Sequence, residues 1–183
     1  MKIKRLLGIC ALLLAQQTLA ACDKHDWQQL LHHADAPAVS AYIKSQHCDI
    51  DQSLDDVSKT PLVYAIDTRN RAAVQALLQA GANPNTDGYD GKTPLFYAVA
   101  TKYLGMVQDL IAKGADVNAS TRTSEITVLM AAVLDSTPAI VAYLVAHGAS
   151  LDDTDKYGHN AIDYVDKLPT KRQAVIRATL KKL

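Results

Sequence analysis

The chain has 183 residues, 49% hydrophobic and 21% charged, and its 19 basic and 19 acidic side chains sum to zero. The balance is uneven: residues 22–166 hold 10 basic and all 19 acidic groups, a net of −9 (10 − 19), while Lys167, Lys171, Arg172, Arg177, Lys181 and Lys182 close the chain with six cations. So acidic a stretch excludes a general nucleic-acid binder, because phosphate contacts need a basic surface.

In chain order, Lys2, Lys4 and Arg5 precede an apolar run from Leu6 to Ala15, and no acid appears before Asp23, which is the layout of a secretory signal peptide. The run falls short of the roughly 20 apolar residues that span a bilayer. Leu19-Ala20-Ala21-Cys22 resembles a bacterial lipoprotein box, which implies cleavage behind Ala21 and lipidation of Cys22. An ordinary cleavage site beside a chance Cys, or a retained anchor, is the alternative. The expected division is a signal peptide over 1–21, a short tether over 22–26 and a repeat domain over 27–183. Asp23 behind a lipidated Cys resembles an inner-membrane retention signal, with the outer membrane left open; in both cases the domain lies against the membrane and faces the periplasm. Cys10 leaves with the signal, so Cys48 is the one thiol remaining and no internal disulfide can form. Cys48 falls where Ala82, Ala115 and Ala149 recur and reads as a small packed apolar side chain.

From Thr60 onward the chain repeats. Thr60-Pro61-Leu62 returns as Thr93-Pro94-Leu95, as Thr127-Val128-Leu129 and as Asn160-Ala161-Ile162, in steps of 33, 34 and 33 residues. A second landmark keeps phase with it: His47-Cys48-Asp49, Gly81-Ala82-Asn83, Gly114-Ala115-Asp116 and Gly148-Ala149-Ser150. Thr before Pro predicts a helix start, since the hydroxyl accepts an orphan N–H and Pro has no N–H to leave unpaired. Gly after an apolar periodic run predicts a helix stop in the left-handed conformation. Two helices fit between the landmarks, and the second reads as the more apolar, as in Ile140-Val141-Ala142-Tyr143-Leu144-Val145.

The period and the Thr-Pro-Leu signature resemble the ankyrin repeat, most closely over Lys92-Thr93-Pro94-Leu95-Phe96-Tyr97-Ala98 and Lys113-Gly114-Ala115-Asp116-Val117-Asn118-Ala119. The resemblance implies an all-α ankyrin-repeat solenoid of about five helix-turn-helix repeats with projecting finger loops. The repeats are expected near 27–58, 59–91, 92–125, 126–158 and 159–183. The family's His after Thr-Pro-Leu is replaced by Val63, Phe96, Met130 and Asp163, which removes hydrogen bonds between repeats but lets three apolar substitutes gain burial.

Two fingers, His47 to Thr60 and Gly114 to Thr127, are one residue longer than the other two. Drift in a solvent-facing turn explains this; the sharper reading is that Ala119 to Glu125 is shaped for a partner. No catalytic constellation emerges, and no cofactor or metal is expected. His25, His32 and His33 lack a completing ligand, and Asp152-Asp153-Thr154-Asp155 lacks the Gly and Glu of a calcium loop, so it reads as Asx-type turns.

The resemblance therefore implies recognition without catalysis, through a concave face built from finger tips and first helices. Carried over by position, that face comprises Tyr89, Asp90 and Lys92, then Arg122, Thr123 and Ser124, then Lys156, Tyr157 and His159, with Tyr64, Asp67, Tyr97, Thr101 and Asp135 on the helices. The expected partner is a protein, bound by an otherwise monomeric, lipid-anchored chain. Small ankyrin-repeat lipoproteins resemble some immunity proteins against secreted antibacterial effectors; an accessory role for a periplasmic enzyme, such as one that detoxifies peroxide, is the alternative. The basic C-terminal segment complements a helix dipole and a polar end cap, or touches anionic headgroups.

Overall fold

The structure, a computed structural model, describes residues 23–33, 35–46 and 49–181. The signal segment, Cys22, the His47-Cys48 copy of the second landmark and Lys182 lie outside the described residues. Among the described residues ten α-helices form five consecutive pairs: α1 (Lys24–His33) and α2 (Ala36–Gln46), α3 (Pro61–Asp67) and α4 (Arg71–Gln79), α5 (Pro94–Thr101) and α6 (Leu104–Ala112), α7 (Val128–Asp135) and α8 (Pro138–Ala146), α9 (Ala161–Asp166) and α10 (Thr170–Leu180). The first helices pack in one layer, α1-α3-α5-α7-α9, and the second helices in another, α2-α4-α6-α8-α10. Among the described residues no strand forms; one isolated antiparallel bridge joins Ser120 and Thr127 at the base of a finger.

The landmarks act as the spacing predicts except at Thr93, which starts its helix but makes no side-chain capping bond. Thr60 Oγ1 accepts the Val63 N–H, Thr127 Oγ1 accepts that of Met130, and Asn160 Oδ1 accepts those of Ile162 and Asp163. Gly81, Gly114 and Gly148 close their helices at φ of 99°, 87° and 91°, where a Cβ would be strained. Val63, Phe96 and Met130 are buried. Asp163 retains polar work instead, its carboxylate accepting the Asn160 N–H at 2.8 Å to close a capping box.

Asp23 accepts the N–H groups of His25 (2.7 Å) and Asp26 (3.4 Å), so its capping carboxylate starts α1 at Lys24. The first helix thus begins three residues ahead of Trp27. The first helices, not the second, are the more thoroughly buried: α7 buries Val128, Leu129, Met130, Ala132 and Val133, whereas α8 buries Ile140, Val141 and Leu144. From α3 to α8 the first helices pack more closely on one another than the second helices do, which leaves them a narrower wet face.

Polar ladders run between repeats. Asp51 accepts the Asn83 N–H, Asn85 Oδ1 accepts that of Asp116 at 2.8 Å, and Asn118 Oδ1 accepts that of Ser150 at 2.9 Å. At the far ends of the first helices, Thr68 and Asn70 donate to the Leu31 carbonyl, Ser136 to that of Val99, and Arg172 to those of Val133 and Ser136. These bonds add donors at the C-terminal ends of the first helices, where intrahelical donors run out. A bidentate pair, Arg71 to Asp109 at 2.7 and 3.0 Å, joins α4 to α6 over Gly105, where a Cβ would lie 3.0 Å from the guanidinium carbon.

Candidate protein-binding face

The finger loops and the first helices share one face. Four copies of the signature put the residue four places after the capping Thr or Asn on that face: Tyr64, Tyr97, Ala131 and Tyr164. Each Tyr leans toward its own finger, but with different partners. The Tyr64 hydroxyl donates to Asp55 at 3.2 Å and accepts from Gln28, and the Tyr164 hydroxyl donates to Asp155 at 2.8 Å. In the third repeat the matching finger position is Gly88, and the Tyr97 hydroxyl makes no hydrogen bond among the described residues.

Asp155 organises the last finger. It is 4% exposed, and its Oδ1 accepts the N–H groups of Tyr157 and His159, both at 2.9 Å. This is the Asx-type turn expected of the segment. Burial works against the charge on Asp155, but the His159 N–H, the Tyr164 hydroxyl and the Tyr157 N–H outweigh it and hold the carboxyl well below the usual carboxylate range. Burial and the same carboxylate push Tyr164 up to about 12.

The central fingers are tied sideways. Asp90 sits at φ 56° and its carboxylate accepts the Thr123 N–H at 2.9 Å and the Thr123 hydroxyl, while its carbonyl accepts the Arg122 N–H. Arg122 also pairs with Asp87, and the Ser124 carbonyl accepts the Lys156 N–H. Thr123 and its backbone hold Asp90 below the usual carboxylate range despite desolvation. Thus Asp90, Arg122, Thr123 and Ser124, expected at the binding face, are engaged within it and fix the spacing of neighbouring fingers.

The other expected residues divide by environment. Tyr89 and Tyr157 stand 66% and 71% exposed, and the Lys156 ammonium lies 5.1 Å from the Tyr157 ring centre. Asp67 pairs with Lys59 at 2.7 Å, and that ammonium also lies within 5.9 Å of the Tyr64 and Tyr97 rings. Asp135 pairs with Lys102 at 2.8 Å, whose charge holds it below the usual range. His159 faces Asp155 at 3.3 Å. Thr101 closes α5, its hydroxyl donating to the Ala98 carbonyl and its own carbonyl accepting from Arg69.

Between α5 and α7 the face opens into a groove of about 450 Å³, walled by Tyr97, Ala100, Ile126, Ala131 and Leu134, with Lys92 and Asp135 at its edge. Lys92, Tyr97 and Asp135 were expected at the face; Ala100, Ile126, Ala131 and Leu134 were not. The signal for them was the break in the Tyr row at Ala131, visible in the sequence but carrying no polar atom to draw notice. Among the described residues no group of His, Cys, Asp or Glu is arranged to hold a metal ion, and no helix is long and apolar enough to cross a membrane.

The family model of ankyrin repeats, which comprises three copies, matches residues 29–121, more than half of the chain. No curated protein matches it. The match ends inside the third finger, and α7 to α10 continue the same paired architecture beyond it. With such repeats the protein is a protein-interaction module. The chain belongs to the ankyrin-repeat family.

Proposed function

We propose that this protein is a lipid-anchored, periplasm-facing recognition module that binds a partner protein through its finger face and acts by covering the partner's surface. One observation carries the reading of the face. Of the six large hydrophobic side chains exposed among the described residues, Val57, Tyr89, Leu134 and Tyr157 lie on the finger face, against Tyr103 and Val175 elsewhere. Exposed aromatic and branched side chains gathered on one face of a rigid array are the composition of an interaction surface. Lipidation at Cys22 rests on Leu19-Ala20-Ala21-Cys22 behind the basic and apolar leader. Several acyl chains, at about 0.8 kcal/mol per buried CH2, hold more firmly than the marginal grip of one.

Occlusion suits an immunity protein that blocks a secreted antibacterial effector, and that is the role proposed. Three experiments test the reading. Capture of partners from solubilised envelopes is expected to fail for Tyr89→Ala/Tyr157→Ala; undiminished capture overturns the face. Cys22→Ser is expected to move the protein into the soluble periplasmic fraction. A deletion strain is expected to lose resistance to effector-producing competitors. Loss of peroxide resistance in its place would replace immunity by an accessory role to a detoxifying enzyme.

A further inference from the structure

We propose that Glu125 is a contact made for the partner, its carboxylate taking a guanidinium or ammonium group on a basic partner surface. The inference rests on the finger-face reading and adds one contact and the charge of what the face meets. Each finger closes with one backbone bond, from the N–H groups of Leu54, Gly88, Thr121 and Asp155 to the carbonyls of Lys59, Lys92, Ile126 and His159. The residue just ahead of each of those carbonyls is left-handed: Ser58 at φ 60°, Gly91 at 75°, Glu125 at 55° and Gly158 at 80°. Gly takes that conformation freely, and Asp or Asn visits it more readily than a longer side chain does. The chain nevertheless places a Glu there, its single one against 18 Asp.

The other residues in this conformation show what offsets its cost. Among the described residues five non-glycines have positive φ, and three of them bond across to another repeat: Arg69 to the Thr101 carbonyl at 3.0 Å, Asp90 to the Thr123 N–H at 2.9 Å and Lys102 to Asp135 at 2.8 Å. Ser58 makes no side-chain bond, but it has no charge to leave unanswered. Glu125 is exposed, and its carboxylate makes no hydrogen bond or ion pair among the described residues. Nearby, Arg122 is taken by Asp87, and the Lys156 ammonium lies over the Tyr157 ring. The Ser124 carbonyl reaches the last finger and Ile126 walls the groove between α5 and α7, which places Glu125 on the finger face. Its counterpart therefore belongs to a molecule seated on that face. Charge sets the class of that molecule: the fingers, residues 49–59, 82–92, 115–126 and 149–159, hold 11 acidic and four basic groups, a net of −7 (4 − 11). A basic surface is steered toward such a row, and an acidic one is repelled.

The test uses the mature protein, whose single glutamate gives one side-chain carboxyl resonance when carbon-13 glutamate is supplied. Acetyl-Arg-Gly-Arg-amide is expected to move that resonance along a saturating curve at least about tenfold more tightly than acetyl-Asp-Gly-Asp-amide, and about 0.5 M salt is expected to remove the difference. Equal responses to the two peptides overturn the contact. Glu125→Gly relieves the left-handed backbone and is expected to raise the melting temperature by about 2–4 °C while losing capture of the envelope partner. A fall in melting temperature overturns the contact, because Glu125 would then act within the fold. Glu125→Gln keeps the reach without the charge and is expected to weaken capture at least about tenfold. The envelope partner separates the two readings. Its retention by Glu125→Gly and Glu125→Gln but loss in Tyr89→Ala/Tyr157→Ala overturns the contact and leaves the finger face standing; retention by all three variants overturns both.

Discussion

The second and fifth repeats hold their fingers differently from the third and fourth. In the flanking pair a Tyr on the first helix reaches its own finger's Asp, Tyr64 to Asp55 and Tyr164 to Asp155, nine residues apart in each case. In the central pair Gly88 and Thr121 stand near that finger position and Ala131 replaces one Tyr, so the latch cannot form. Those fingers are instead bound to each other through Asp90 with Thr123 and Arg122 with Asp87. Grooves lie beside both kinds of finger, one against latched Tyr64 between α1 and α3 and one beneath the sideways-tied pair between α5 and α7.

Substitutions that remove one device at a time sharpen the contrast, and the largest effect is expected at Gly91. Its φ is 75°, and a Cβ there would sit 2.8 Å from the Arg122 Cγ and 3.3 Å from the Arg122 nitrogen. Gly91→Val should therefore cost about 2 kcal/mol or more in chemical denaturation, through backbone strain and displacement of the lateral tie. The flanking latch should be worth less. Tyr164→Phe removes one buried charge-assisted bond and is expected to cost about 1.5 kcal/mol. Tyr64→Phe, with a longer and wetter bond, should cost about 0.5–1 kcal/mol in the same assay. Tyr97→Phe loses a hydroxyl that bonds to nothing described, and its midpoint should shift by less than about 0.5 kcal/mol. A cost for Tyr97→Phe equal to that of Tyr164→Phe would erase the distinction between the two kinds of repeat.

Acid should separate the regions further. The folded protein holds Asp155 below the ordinary carboxylate value of about 4. A depressed folded-state value means that ionised Asp155 stabilises the fold above that point, and that the contribution fades as pH falls below it toward the folded value. Thermal melts of the wild type should therefore drop more steeply between about pH 4 and pH 2 than those of Asp155→Asn. Parallel slopes would remove Asp155 as the anchor of the last finger.

Much of this architecture was legible in the chain because local chemistry fixes it. Thr60, Thr127 and Asn160 cap, and Gly81, Gly114 and Gly148 stop, for reasons that act within a few residues. The relative burial of the two helices is not legible there, since Ile140 to Val145 look more apolar than the first helix of their repeat, yet how closely a helix packs on its neighbours is a property of the stack. The finger residues show the same limit. Arg122 and Thr123 carry the side chains of a binding surface, and only the third dimension reveals that Asp87 and Asp90 already occupy them. Ala131 was hidden for the opposite reason, because a missing ring has no chemistry to notice until its neighbours are seen to leave a gap.

The central claim is that a partner seats on the finger face over the third and fourth repeats, and site-directed photo-crosslinking in living cells tests it most directly. A photoreactive residue at Leu134 is expected to give one discrete protein adduct that Tyr89→Ala/Tyr157→Ala abolishes, while the same group at exposed Gln108 on α6 gives none. Adducts at Gln108 alone, or an adduct at Leu134 that persists in Tyr89→Ala/Tyr157→Ala, would contradict the account.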